Sequence, residues 1–291
     1  MNETLRKTWS VLEILKVTEA AFTEKGITNP RLNAELLLSD VTGHSRFDLY
    51  LNFEKPLTEN EVSEYRNLVK RRLKFEPLQY ILGKTEFYSL NFKVTPDVLI
   101  PRQETEILVE IVLKYIKEVS KPRILEIGTG SGCIAVAIAA NTDCMIDAID
   151  ISSGAIDIAI ENSSINNTAG KINFKQTDFL NTDISFNDYD IIISNPPYIA
   201  ARDIAGLNEE VNQYEPYIAL TDDKEGMTFY ENIFSRIANA GESPAVFLEI
   251  GDGKKDAIEK LLMGHGITNY KIYNDLIGLP RVLEIERKKR I

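Results

Sequence analysis

The sequence predicts an α/β protein in two parts, with a small helical domain in front and a mostly parallel sheet, covered by helices on both faces, behind it. Three observations carry that reading. Apolar residues recur at helical spacing through residues 10–75. From residue 123 onward short apolar runs alternate with helical segments. The chain has 291 residues, too many for one minimal domain, and 44% of them are hydrophobic, enough to bury a sizeable core.

The same arithmetic excludes a disordered tail, a collagen-like repeat and a disulfide-stapled miniprotein. No apolar run approaches the roughly 20 residues that cross a bilayer. Met1 to Ser10 lacks the apolar core of a signal peptide. A cytoplasmic protein with no membrane partner is expected. Residues 1–100 carry 14 basic and 14 acidic side chains, and residues 101–291 carry 19 and 30. The whole net charge of −11 therefore lies in the second part. That half repels a polyanion, so direct nucleic-acid binding is not expected and a basic protein surface is the better partner. Cys133, Cys144, His44 and His265 are scattered without ligand spacing, so no metal is implied.

Taken in order, Val11, Leu12, Ile14, Leu15, Ala20 and Phe22 give a helical stripe ended by Lys25-Gly26. Asn29-Pro30 starts a second helix, because proline at the first helical position loses no bonded N–H. Thr58 and Glu61 have capping-box spacing, and Leu57 and Val62 have staple spacing. The helix they start carries a basic run, Arg66, Lys70, Arg71, Arg72 and Lys74, which reads as a solvated face or a docking patch. Leu78 to Pro101 is rich in Tyr, Phe, Ile, Leu and Val with turns at Gly83 and Asn91, which predicts a β-hairpin linker. Ile107 to Val119 then repeats apolar residues at three- and four-residue steps, a core-facing helix. The predicted domains are residues 1–75 (helical, substrate-docking), 76–100 (hairpin linker) and 101–291 (catalytic).

In the third part, strands are predicted at 123–127, 145–150, 172–174, 189–194 and 244–250, with two more near 267–273 and 281–287. Helices fall at 133–140, 153–165 and 226–239. In such a sheet ligands sit outside the carboxyl ends of the strands, near the topological switch point.

Two loops at those ends carry the chemistry. Gly128-Thr129-Gly130-Ser131-Gly132 follows the first strand, and its glycines let a ligand approach the backbone. Dinucleotide folds prefer G-x-G-x-x-G, but here the third glycine comes one position early, a spacing typical of S-adenosylmethionine sites. Asp150, at the end of the next strand, can accept from both ribose hydroxyls. Asp178 can accept from an adenine amine while Phe179 stacks on the base; a solvated acid beside a core Phe is the equal alternative. The second loop is Asn195-Pro196-Pro197-Tyr198. An amide nitrogen is a poor nucleophile because its lone pair is delocalised. A site that methylates it must orient the NH2 and stabilise positive charge forming on nitrogen. Asn195 offers its side-chain oxygen and Pro196 its backbone carbonyl, and two prolines hold both acceptors stiffly. Tyr198 can pack beside the planar acceptor. No general base is obligatory, because the nitrogen becomes acidic once alkylated.

With these residues in place, the sequence resembles the class I S-adenosylmethionine methyltransferases, and within them the protein-(glutamine-N5) methyltransferases that modify bacterial peptide chain release factors. The likeness runs from about residue 70 to the C-terminus. It includes Glu76 to Gly83, Leu99 to Glu106, the glycine loop, Asn195 to Tyr198, Tyr214-Glu215-Pro216, Asp222 to Gly226, Leu248 to Gly251 and Asp275 to Arg281. Gln103 departs from the family's usual proline.

The resemblance implies a Rossmann-like class I methyltransferase sheet with a small N-terminal helical domain and a β-hairpin linker. It implies S-adenosylmethionine as cofactor and S-adenosylhomocysteine as product, held by Gly128 to Gly132, Asp150, Asp178, Phe179 and Asn195. It implies that Asn195 to Tyr198 hold the substrate glutamine, with Asn195 and Pro196 catalytic. The implied substrates are release factors 1 and 2, methylated on the glutamine of Gly-Gly-Gln by a monomeric enzyme. Rivals are the paralogue acting on a large-subunit ribosomal protein, a nucleic-acid amino-methyltransferase, and a module that binds without turnover.

Overall fold

The computed structural model describes residues 8–119, 121–239 and 243–287, which divide into two compact units. The first comprises the described residues up to Gly83 together with Glu209–Tyr214. Its helices are α1 (Val11–Lys25), α2 (Pro30–Thr42), α3 (Arg46–Leu51), α4 (Glu59–Arg72) and α5 (Leu78–Leu82). Capping boxes open α1 (Ser10 with Glu13), α3 (Ser45 with Asp48) and α4 (Thr58 with Glu61), satisfying N–H groups that a helix start leaves unpaired. Leu15, Phe22, Leu37, Leu38 and Tyr65 form its buried centre.

The basic run on α4 is neither a continuous solvated face nor one patch. Arg72 is buried, donating to Asn33 Oδ1 at 2.7 Å and to the Glu76 carbonyl at 3.0 Å, and it pairs with Glu210. Arg71 pairs with Glu76, and Arg66 lies over the Trp9 ring.

The second unit begins with a hairpin of β1 (Lys84–Phe87) and β2 (Leu90–Lys93). The hairpin is shorter than Leu78 to Pro101: Pro77 precedes the single turn of α5 and Gly83, at φ 70°, ends it. It is also no bare linker, because Phe87 and Phe92 are buried in the core of this unit.

There follow α6 (Glu106–Ile116), β3 (Arg123–Ile127), α7 (Cys133–Asn141), β4 (Met145–Asp150), α8 (Ser153–Ile165), β5 (Ile172–Gln176) and β6 (Ile191–Ser194). After α9 (Glu209–Tyr214), which belongs to the first unit, come α10 (Tyr217–Leu220), α11 (Thr228–Asn239), β7 (Ala245–Glu249), α12 (Lys255–Gly264), β8 (Tyr270–Asn274) and β9 (Pro280–Ile285). Tyr189 lies outside β6, which starts at Ile191.

Among the described residues seven strands form one sheet in the order β5-β4-β3-β6-β7-β9-β8. The first five are parallel and β9 is antiparallel to both neighbours. Alternate strand residues feed opposite faces. Ile124, Ile146, Ile191, Ile193 and Phe247 pack under α6 and α7, whereas Leu125, Ile149, Ile192, Val246 and Leu248 pack under α11 and α12. This is an α/β Rossmann-like class I methyltransferase architecture. The chain starts at β3, moves outward through β4 and β5, then returns to β6 on the other side. The switch point therefore lies between β3 and β6, at their carboxyl ends.

Candidate active site

Register brings the loops together. Ile127 pairs with both Ile149 and Ser194, and Ser194 pairs with Leu248. The next residues along each strand, Gly128, Asp150, Asn195 and Glu249, therefore emerge side by side at the carboxyl end of the sheet. The Ser194 hydroxyl donates to the Ile127 carbonyl at 2.7 Å, fastening the two central strand ends.

A cavity of about 280 Å3 opens there, near the lower end of the roughly 300–1,000 Å3 usual for small-molecule sites. It is lined by Gly128 to Ser131, Asp150, Asp178, Phe179, Asn195, Pro196 and Pro197, and also by Pro101, Arg102, Thr105, Ile151, Thr177, Ile218 and Asp222.

In the glycine loop, Gly128, Gly130 and Gly132 all have φ between 55° and 77°. At Gly132 a side chain is excluded twice, because a Cβ would also sit 3.0 Å from Ala159 of α8. The loop is braced by Asp150, whose two oxygens accept from Gly130 N (2.8 Å) and Ser152 N (2.9 Å). Each keeps a lone pair for another donor. Beneath the loop Glu126 is 1% exposed. Its Oε2 accepts from Thr129 Oγ1 at 2.6 Å and its Oε1 has no partner among the described residues. The Thr177 hydroxyl is likewise buried without a partner.

Asp178 and Phe179 line the cavity, but local contacts already account for much of both. Asp178 accepts from Leu180 N, Asn181 N and Asn181 Nδ2. Phe179 is 4% exposed, stacked with Phe186 and Phe229, with the Arg236 guanidinium 4.5 Å from its ring centre. It is a core residue forming a cavity wall more than an open stacking platform. Tyr198 does not line the cavity. Its ring lies against Gly251, and its hydroxyl donates to Glu249 Oε1 at 3.4 Å.

Two contributors carry no sequence-predicted role. Thr105 Oγ1 donates to Glu249 Oε2 at 2.6 Å and accepts from Asn195 Nδ2 at 3.4 Å. Arg102 reaches the cavity while paired with buried Glu215. Both belong to the run Leu99 to Glu106, and their partners Glu249 and Glu215 to the runs Leu248 to Gly251 and Tyr214 to Pro216, whose likeness to the family was the available signal. Gln103 begins a 3-10 turn closed by Thr105 N donating to the Arg102 carbonyl at 3.1 Å. Among the described residues no cluster of metal-ligating side chains occurs, and no helix is long and apolar enough to cross a membrane.

Comparison with known proteins places this geometry. Residues 13–83 match the model described as PrmC N-terminal domain, and residues 102–210 match the methyltransferase small domain. A release factor glutamine methyltransferase of Geobacter sulfurreducens is 37% identical over 94% of this chain and 96% of its own. The chain belongs to the release factor glutamine methyltransferase family. Another member, from Chlorobaculum tepidum, is 42% identical over 78% of this chain and 80% of its own. In fold, the catalytic domain of hMettl16 superposes with a TM-score of 0.50 at 18% identity, over 68% of this chain and 76% of that one.

Three carboxyls of this family member's site are shifted upward. Burial pushes Glu126 up to about 8, opposed by the Thr129 hydrogen bond and assisted by the Asp150 charge. Burial likewise raises Glu249 to about 7, against hydrogen bonds from Thr105 and Tyr198, and it raises Asp150. Carboxyls that stay protonated in the fold stabilise it fully below their unfolded value, 4.5 for Glu126 and Glu249. That stability is lost as pH rises through the folded values. The sign is therefore falling stability between about pH 5 and 8. Thermal melts without added ligand are expected to shift down over that window, and Glu126→Gln to flatten the decline. A wild-type melt independent of pH would contradict the assignment.

Proposed function

We propose that this chain transfers the methyl group of S-adenosylmethionine to the side-chain amide nitrogen (N5) of the glutamine in the Gly-Gly-Gln motif of peptide chain release factors 1 and 2. The observation that carries the reading is the register that sets Asn195-Pro196-Pro197 beside the glycine loop in one cavity. Family membership supports the reaction class and the substrate class.

The donor set fits a nucleoside-bearing sulfonium. Asp150 keeps acceptor capacity for ribose hydroxyls, the glycine loop brings main chain to the cavity wall, and the buried Thr177 hydroxyl in that wall is a polar group awaiting a partner. S-adenosylmethionine, when bound, supplies a methyl group activated by its sulfonium.

The chain's residues then act on the glutamine. Asn195 Oδ1 and the Pro196 carbonyl accept the two carboxamide hydrogens and turn the nitrogen toward the methyl donor. As nitrogen gains positive charge, both oxygens stabilise it electrostatically, and the prolines keep them from relaxing. The alkylated nitrogen is acidic and loses its proton without a dedicated base.

A loop that must face ribosomal RNA is expected to have basic surroundings, which the acidic catalytic half would complement. The enzyme acts as a cytoplasmic monomer in this reading. The test incubates the protein with isotopically labelled S-adenosylmethionine and release factors, ribosomal protein and RNA, then locates the label by mass spectrometry. Label is expected on the Gly-Gly-Gln glutamine alone, at a rate that falls as salt rises. Label on RNA or on the ribosomal protein instead would overturn the reading.

A further inference from the structure

Asn195 has two chemically opposite ends, and only one serves the reaction. Its oxygen can accept from a carboxamide hydrogen; its NH2 would repel it. What turns the amide is therefore as consequential as the presence of Asn195. Its Nδ2 lies 3.4 Å from Thr105 Oγ1, and Thr105 Oγ1 donates at 2.6 Å to Glu249 Oε2. A hydroxyl has one hydrogen. Once Glu249 takes it, Thr105 can only accept from Asn195, and the NH2 end of the amide is held at Thr105. All three residues come from different elements: the turn before α6, the loop after β6, and the end of β7. Thr105 is 2% and Glu249 2% exposed, so the bond between them is sheltered from water.

We propose that Thr105 and Glu249 are positioning residues for methyl transfer, a hydroxyl-carboxylate relay that turns the Asn195 side-chain carbonyl toward the substrate amide. The inference rests on the functional reading above. Glu249 also accepts from the Tyr198 hydroxyl through its other oxygen, at 3.4 Å. One carboxylate thus steadies both ends of the Asn195 to Tyr198 loop.

The relay depends on the charge of Glu249. Facing it are Thr105 and Glu104 from the turn before α6, Tyr198 from the loop, Arg281 from β9 (itself paired with Asp275), and Tyr230 of α11, whose hydroxyl donates to the Glu249 backbone carbonyl. Burial is the largest influence and holds the carboxyl near 7. Protonated, Glu249 can donate to Thr105; the Thr105 hydrogen is then free to point at Asn195 and favours the flipped amide. Turnover should therefore rise with pH through about 7 in the wild type.

The experiment compares Thr105→Val, Thr105→Ser and Glu249→Gln with wild type, measuring kcat and KM for release factor, the pH profile of kcat, and the Kd of S-adenosylhomocysteine by calorimetry. Thr105→Val is expected to lower kcat on the order of 10- to 100-fold with the Kd unchanged. Thr105→Ser restores kcat to within a few-fold, and Glu249→Gln removes the limb near pH 7. A Thr105→Val enzyme with wild-type kcat overturns the relay, as does a limb that persists in Glu249→Gln. Loss of S-adenosylhomocysteine binding in Thr105→Val overturns it too, because the hydroxyl is then structural. If wild type labels no release factor glutamine, the functional reading itself fails; if it does and the variants match it, only the relay fails.

Discussion

Asn195→Ala is expected to lower turnover by on the order of 10- to 100-fold while leaving S-adenosylhomocysteine affinity nearly unchanged. In the proposed mechanism the substitution removes one of two acceptors that meet the carboxamide hydrogens, and the remaining Pro196 carbonyl cannot orient a planar NH2 by itself. Its effect is concentrated in kcat, because the charge that Asn195 Oδ1 stabilises exists fully only as nitrogen takes the methyl group. Cofactor binding persists, because Asp150, the glycine loop and the walls at Ile151 and Phe179 line the other part of the cavity. Single-turnover transfer and calorimetry separate the two quantities. Near-normal turnover would remove Asn195 from its assigned role.

Gly226→Ala is expected to cost about 2–4 kcal/mol of stability and to disable the loop even in protein that folds. Gly226 has φ 73°, in the left-handed region, and a Cβ there would overlap the backbone carbonyl of Tyr198. Backbone atoms cannot swing aside as a long side chain can. The neighbourhood is also pinned: Asp222 accepts from Lys224 N, Gly226 N and Thr228 N, and Ala201 N donates to the Lys224 carbonyl at 2.8 Å. The strain must therefore pass into Tyr198 and the prolines before it. A shift of about 1 Å in the acceptors is enough to cost on the order of 100-fold in rate. Gly170→Ala is the control, because its Cβ meets nothing within 4 Å. Urea melts and kcat together test this; a Gly226→Ala protein with wild-type stability and rate would contradict the packing described.

The legible parts of this molecule were those written locally. The glycine loop, the acid ending the next strand and the Asn-Pro-Pro run each follow a recognisable strand, and parallel register alone suffices to set them side by side. Capping boxes at Ser10 and Thr58 likewise stand within three residues of their partners. What stayed hidden depends on distant partners. Thr105 and Glu249 are 144 positions apart, and nothing in either local pattern announces the bond. Arg72 looks like one cation in a solvated run until Asn33, the Glu76 carbonyl and Glu210 surround it. Leu78 to Leu82 has a strand's composition, but Pro77 and the left-handed Gly83 bracket a single helical turn. Phe179, left open by the sequence between a stacking platform and a core residue, is packed by Phe186, Phe229 and Arg236, a tertiary outcome that no motif decides.

Whether two fixed carbonyl oxygens hold a glutamine carboxamide at the cavity is decided by a crystal structure with S-adenosylhomocysteine and a peptide containing Gly-Gly-Gln. The glutamine nitrogen is expected within about 3.2 Å of both Asn195 Oδ1 and the Pro196 carbonyl oxygen, on the side facing the cofactor sulfur. A carboxamide bound elsewhere, or an Asn195 that presents its NH2 to the substrate, would contradict it.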